Sequence, residues 1–277
     1  VAVPGPAGAE TLAAIEPNRL TACGTCEACQ GRSAWFCRNR SGHEAFGYVE
    51  AMMVPEWALF PMPDGTDPVL ATLVEPLACA VHTVRSSHSA DGDGRIDGLS
   101  VAVLGAGVTG LMTVAAALHL GAAAVTVTAR HPHQGEMATQ VGATTVLAAD
   151  DADTATALRK SRPDLVIECV GGTAPTLGLA LNSVRAGGEV AVFGLFDEPQ
   201  PINARLATMK ELRLFFPVTY GTIDGIHDFD VAIELLTTSE FPFKSLVTHE
   251  FALDDISDAF AAADDKKSGA LRVVVKP

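Results

Sequence analysis

The chain reads as an α/β protein built on a doubly wound parallel sheet, and three observations predict it. Val101 to Leu104 is an apolar run, Gly105, Gly107 and Gly110 follow at G-x-G-x-x-G spacing, and Leu111 to Leu120 is apolar enough for a packed helix. Beyond that stretch, strand-length apolar runs alternate with helix-length amphipathic ones as far as Phe216. Such alternation means parallel strands joined by right-handed crossovers. The third observation is bulk: 277 residues, 48% hydrophobic and 19% charged, are enough for two domains with real cores.

The glycine turn comes first because each glycine has a physical task. Gly105 permits a tight turn out of the strand, Gly107 lets the backbone approach a pyrophosphate, and Gly110 lets helix and strand pack closely. The helix start adds free N–H groups and a positive dipole end. Gly105, Gly107, Val108, Thr109 and Gly110 are therefore the expected cofactor-binding stretch. After it, strands are expected at Ala124–Ala129, Thr144–Leu147, Asp164–Val170, Glu189–Gly194 and Glu211–Phe216. Helices are expected at His131–Val141, Asp153–Arg162 and Thr173–Arg185, with Cys169 buried in the fourth strand. Residues 99–220 thus read as a six-stranded Rossmann domain binding NAD(P).

The tip of the second strand sets cofactor choice. NAD sites usually place an Asp or Glu there for the ribose hydroxyls, but this chain has Ala129-Arg130-His131, with His133 two residues on. Arg130, helped by His131, would bind a 2′-phosphate, so NADP is expected over NAD; Arg130 as an ordinary solvated arginine is the alternative. At the sixth strand, Leu212, Leu214, Phe215 and Phe216 make an apolar edge that suggests a homodimer or homotetramer.

A formal charge of −14 argues against nucleic-acid and anionic-membrane partners. Gly121 breaks the longest apolar run, so no membrane span is expected, no signal peptide is evident, and a cytoplasmic location follows. Asp91-Gly92-Asp93-Gly94-Arg95-Ile96-Asp97 looks like a calcium loop, but Arg95, Ile96 and Ala102 occupy positions that need other residues. It reads as a flexible interdomain connection. In the tail, Phe229–Leu236 and Asp254–Ala263 read as helices and Leu271–Val275 as a closing strand.

Four of the six cysteines crowd into C-x-x-C-x-x-C-x7-C at Cys23, Cys26, Cys29 and Cys37. Four thiolates in one loop can wrap a tetrahedral zinc with no open position, which makes the site structural. Gly24 and Gly31 would supply its turns; disulfides or free thiols are the alternatives.

Those cysteines, ahead of a dinucleotide fold, together with L-V-E-P-L-A at Leu73–Ala78, resemble the medium-chain, zinc-dependent alcohol and polyol dehydrogenases, in the sorbitol, threonine and glucose dehydrogenase branches. The resemblance implies a GroES-like β domain from 1–98 and 221–277 carrying the zinc lobe at 23–37, and an alcohol or polyol as small-molecule substrate. It places Glu75 at a catalytic zinc. Read from the residues alone, Glu75 is a helix-start glutamate beside Pro76, and Cys79, one turn on, is a small core residue. Arg272 matches a position that contacts the cofactor's pyrophosphate; on a final strand it reads equally as a surface residue.

One departure stands out. The family's remaining catalytic ligands, a cysteine and a His-Glu pair, precede the lobe, and residues 1–22 contain neither cysteine nor histidine. His43-Glu44 copies the letters but follows the lobe, where a surface turn is expected. The chain is therefore expected to be N-terminally truncated, with its GroES-like domain incomplete. Two other readings remain: an inactive nicotinamide-binding relic that keeps the structural zinc, and a zinc-independent reductase, whose branch usually lacks the four cysteines.

Overall fold

A computed structural model describes residues 2–4, 10–41, 47–87 and 94–277; His43-Glu44 and Asp91–Asp93 lie outside the described residues. Two units divide the chain, Val1–Cys79 with Thr219–Pro277, and Ala80–Val218.

The first unit opens with β1 (Ala2–Pro4), β2 (Glu10–Ile15) and β3 (Leu59–Pro61), an antiparallel sheet in that order. Between β2 and β3 lie the short helices α1 (Pro17–Thr21) and α2 (Glu27–Gln30); α3 (Pro68–Ala71) follows β3, and then α4 (Val74–Arg85), within which the first unit ends at Cys79. Glu16 caps the end of β2 and is almost fully buried, so its carboxylate needs partners. Arg19 Nε lies 2.6 Å and His227 Nε2 3.2 Å from Glu16 Oε2. Arg19 is itself held over the Trp57 and Phe60 rings, at 5.1 and 4.9 Å.

The second unit holds the doubly wound sheet. β4 (Ser100–Leu104), α5 (Val108–His119), β5 (Ala124–Ala129), α6 (Pro132–Gln140), β6 (Thr145–Ala148), α7 (Thr154–Ser161), β7 (Leu165–Glu168), α8 (Thr176–Ser183), β8 (Glu189–Val192), α9 (Ala204–Lys210) and β9 (Arg213–Phe215) follow in turn. The six strands are parallel, in the order β6-β5-β4-β7-β8-β9. Strand order reverses beside β4, and the carboxyl ends of strands at such a switch point form a ligand crevice. Ala102, Leu104, Val166, Leu177, Leu181 and Val190 share one core cluster of this unit.

Several expectations are corrected here. The fourth strand stops at Glu168, not Val170, because the buried Glu168 carboxylate accepts the N–H groups of Val170 and Gly171, at 2.8 and 3.1 Å, that a longer strand would have used. Cys169 is thus past the strand and half-buried. The linker reading fails for residues 94–98: Ile96 is buried, with its N–H on the Leu120 carbonyl at 2.8 Å, and Gly98 N–H donates to Gly121 O at 3.0 Å. At the sheet edge Leu212 and Leu214 pack onto the core cluster, leaving Phe216 as the exposed apolar residue.

The sequence reading missed α9. Asn203 Oδ1 caps its start by accepting from Leu206 N–H at 3.0 Å, and Glu211, at φ 53°, ends it. From its last turn Lys210 Nζ donates to the carbonyls of Leu181, Asn182 and Val184 at 3.1, 2.8 and 2.7 Å, satisfying the C-terminal end of α8. Lys210→Met is expected to lower stability by about 1–3 kcal/mol, because three carbonyls lose a charged donor. A denaturant melt of the variant checks this, and an unchanged midpoint would discard the capping role.

The tail returns to the first unit with β10 (Thr222–Ile223) and β11 (Ile226–His227), a small hairpin, then α10 (Asp228–Thr238). Last come β12 (Val247–Ala252), α11 (Ile256–Asp264) and β13 (Arg272–Lys276), with β12 and β13 paired in parallel. Among the described residues no helix is long and apolar enough to cross a membrane.

Candidate functional site

In the second unit the glycine turn joins β4 to α5. Gly105 sits at φ +100°, where L side chains are strained. Its N–H donates to Thr128 Oγ1 at 2.9 Å, so a residue of β5 braces the turn. A Cβ on Gly110 would lie 1.9 Å from the Gly105 carbonyl oxygen; only hydrogen lets α5 pack this closely on the strand exit. At Gly107, the N-cap of α5, an added Cβ would meet nothing within 4 Å. Next to Gly107 come the N–H groups of Val108, Thr109 and Gly110, the first turn of α5, which have no intrahelical carbonyl to bond. That is an anion cradle of the kind phosphates occupy at helix N-termini.

One strand over, β5 ends at Ala129 and delivers Arg130 and His131. Arg130 Nε lies 3.8 Å from Asp150 Oδ2, with both side chains mostly exposed. His131 and His133 stack with ring centroids 5.5 Å apart and planes within 8°, and His133 Nε2 is buried with no hydrogen-bond partner.

In the first unit the four sulfurs of Cys23, Cys26, Cys29 and Cys37 all lie within 4.8 Å of one another. Individual separations are 3.9 Å for Cys23–Cys29, 3.5 Å for Cys26–Cys29 and 3.9 Å for Cys26–Cys37. Zinc–sulfur bonds of about 2.3 Å imply a tetrahedron edge of about 3.8 Å, so the donor set fits zinc. All four are free thiols rather than disulfides. Hydrogen bonds from the Thr25 backbone and hydroxyl hold the Cys23 thiol down to about 6, toward the thiolate that a metal needs. Gly24 turns at φ +70°, as a tight wrap requires. Gly31 ends α2 at φ −103°, outside the left-handed region, and a Cβ there would crowd the Glu27 carbonyl at 2.9 Å.

Glu75, in the first turn of α4, is the other singled-out acid. Burial pushes its carboxyl up from the usual carboxylate range, against the hydrogen bond from Cys79, the charge of Arg272 and the hydrogen bond from Tyr220. Cys79 Sγ donates to Glu75 Oε1 at 3.6 Å, so this thiol is a half-buried partner of the carboxylate rather than a plain core residue. Arg272 keeps its Nε buried with no hydrogen-bond partner. Among the described residues the four lobe cysteines are the one group of three or more His, Cys, Asp or Glu donors that converge on a point. Glu75 and Cys79 belong to no such group.

Three of these neighbours escaped sequence reasoning: Tyr220, Asp150 and Thr128. Thr128 had a signal, since it pairs with Leu104 in the β4–β5 register, just before the turn. Tyr220 is far from Glu75 in sequence, and no local pattern marks it.

Comparison with known proteins agrees with this geometry. The zinc-binding dehydrogenase family matches residues 108–238. Sorbitol dehydrogenase of Bacillus subtilis (strain 168) is 29% identical over 274 residues, covering 95% of this chain and 73% of that protein. L-threonine 3-dehydrogenase of Chromobacterium violaceum is 27% identical, covering 89% of this chain and 71% of that protein. A crystal structure from Sinorhizobium meliloti 1021, described as a zinc-binding dehydrogenase bound to NADP, superposes with a TM-score of 0.83 at 28% identity, over 99% of this chain and 78% of that one.

Proposed function

We propose that the chain is a member of the zinc-dependent alcohol dehydrogenase superfamily of medium-chain dehydrogenases, to which its similarities point, and that it is an NADP(H) oxidoreductase interconverting an alcohol or polyol with its ketone or aldehyde. The observation that carries the reading is the open cradle above Gly107, with Arg130 at the tip of the adjacent strand. A phosphorylated dinucleotide is the ligand with charge at both places. The polyol and amino-alcohol dehydrogenases similar to this chain support a hydroxyl-bearing substrate.

When bound, the nicotinamide supplies the hydride acceptor. The chain's own residues bind and orient it: the N–H groups of Val108–Gly110 take the pyrophosphate, and Arg130 with His131 takes the 2′-phosphate. Cys23, Cys26, Cys29 and Cys37 hold a structural zinc that fixes the lobe. Glu75 is the reacting-end acid, its carboxyl oxygen kept in place by Cys79 and Tyr220. With Cys79 alone it is too small a donor set for a catalytic zinc.

Glu75→Gln is expected to lower turnover by about a hundredfold or more while leaving cofactor binding unchanged, as loss of a positioned acid–base group does. Rates of reduced-nicotinamide formation across a panel of alcohols and polyols check it, and a wild-type rate would remove Glu75 from the site. Cofactor choice has its own test. Arg130→Ala combined with Ala129→Asp should shift the affinity ratio toward NAD by at least tenfold, read by equilibrium titration; an unmoved ratio would overturn the NADP assignment.

That the four cysteines are the one convergent donor group among the described residues favours a second reading, a nicotinamide-binding protein that retains structural zinc without turnover. Metal analysis with a turnover assay separates the two: one zinc with cofactor binding but no oxidation supports the second, and oxidation of an alcohol or polyol supports the enzyme. A homodimer or homotetramer paired through the exposed edge of β9 accompanies either reading, and sedimentation of the purified protein tests it.

A further inference from the structure

The tip of β5 lacks the carboxylate that recognises an unphosphorylated ribose, yet the fold brings one there from the neighbouring strand. β5 and β6 pair in register from Thr126↔Thr145 to Ala129↔Ala148. The pairing runs one bond further, because Ala149 N–H donates to the Ala129 carbonyl at 2.8 Å. Arg130 is therefore the first residue past β5 and Asp150 the second past β6, beyond two aligned strand ends. Asp150 does not wander from that place: Asp151 N–H closes a turn onto the Ala148 carbonyl at 3.1 Å, and Thr154 Oγ1 donates to the same carbonyl at 2.6 Å. Of the acids nearby, Asp151 is committed locally, its Oδ1 accepting from Asp153 N–H at 2.8 Å. Asp150 instead faces Arg130 at 3.8 Å, and 75% of its side chain is open to solvent.

We propose that Asp150 is a specificity-determining residue of the adenosine-ribose subsite: it competes with a 2′-phosphate for Arg130, and accepts from the ribose hydroxyls when that phosphate is absent, so that the site takes NAD as well as NADP. The proposal rests on the reading of the β5 tip as the ribose end of the cofactor site. A 2′-phosphate must displace the carboxylate from Arg130 and then sit beside it, which weakens NADP binding. A free ribose diol needs an acceptor, and no other carboxylate is placed against Arg130 among the described residues. The pair is exposed, so its influence is modest and falls with salt.

Equilibrium titration of NADPH and NADH against the wild type, Asp150→Asn, Arg130→Ala and the double variant decides the matter. In Asp150→Asn, NADPH is expected to bind about three- to fivefold tighter at low salt and NADH about three- to tenfold weaker. The gain for NADPH should vanish in the Arg130→Ala background, because nothing remains to compete for. If Asp150→Asn leaves the NADPH-to-NADH ratio unchanged while Arg130→Ala weakens NADPH, Asp150 is a bystander and the Arg130 reading survives. If Arg130→Ala also leaves NADPH unmoved, the reading of the β5 tip fails and takes the proposal with it. Both side chains are exposed, so the variants fold, and their circular dichroism is expected to match the wild type.

Discussion

Gly110→Ala is expected to abolish cofactor binding and to destabilise the second unit together. The new Cβ would stand 1.9 Å from the Gly105 carbonyl oxygen and 2.9 Å from its carbon. Both are backbone atoms, so no side-chain rotation relieves the contact. Gly105 cannot give way cheaply either, since it already sits at φ +100° with its N–H tied to Thr128. Either α5 moves off β4 or the turn opens, and overpacking of this kind costs about 1–3 kcal/mol or more. A melting-point loss of several degrees should therefore accompany the loss of NADPH binding. Gly107→Ala is the control that separates the two effects. Its Cβ touches no protein atom within 4 Å, so stability should hold while affinity falls, the methyl group occupying space meant for a pyrophosphate. Thermal melts and NADPH titrations on both variants check the pair. A wild-type melt for Gly110→Ala would refute the packing account, and undiminished binding by Gly107→Ala would refute the cradle.

Loss of zinc is expected to have the larger structural effect. The lobe has little apolar material of its own: α2 is four residues long, and Ala34 and Cys37 are the buried apolar residues between positions 23 and 40. Polar ties add to it, among them Ser33 Oγ on the Tyr220 carbonyl at 2.7 Å and the Arg40 guanidinium on Thr21, Ala34 and Trp35. Structural zinc binding is worth on the order of 10 kcal/mol in small zinc domains, and folding of such a segment draws on it directly. Cys26→Ser removes the sulfur that lies 3.5 Å from Cys29 and 3.9 Å from Cys37. The variant should purify with almost no zinc and melt about ten degrees or more below the wild type. Chelation of the wild type should reproduce that melt, and an unchanged melt of metal-free protein would show that the lobe folds without its ion.

The two sites differed in how far they could be read from sequence, and locality explains the difference. The glycine turn and the four cysteines are contiguous motifs, and their geometry follows from spacing alone. Strands β4, β7 and β8 were legible because buried parallel strands are short apolar runs punctuated by glycine. The end of β7 was not, because it depends on where one buried carboxylate finds its donors: Glu168 takes Val170 N–H, Gly171 N–H and Thr176 Oγ1. Nor was Ile96 legible inside an acidic, glycine-rich stretch; its burial comes from a backbone bond to Leu120. The surroundings of Glu75 were the least legible. Tyr220 and Arg272 reach it from the far end of the chain, and no periodicity links residues so distant.

The division of the chain has a consequence for its synthesis. Residues 80–218 emerge from the ribosome as one continuous length, so their sheet can close as soon as β9 is made. The other unit joins the first residues to the last: Asn18 Nδ2 donates to Thr219 Oγ1 at 2.8 Å, Thr222 N–H to the Arg32 carbonyl at 2.7 Å, and His227 Nε2 lies 3.2 Å from Glu16. Residues 1–79 are thus made before the tail that completes their packing. Until the tail is made Glu16 lacks His227, and Phe60 lacks the His227 and Phe229 rings; a nascent chain stalled before Thr219 would present that face to chaperones and proteases.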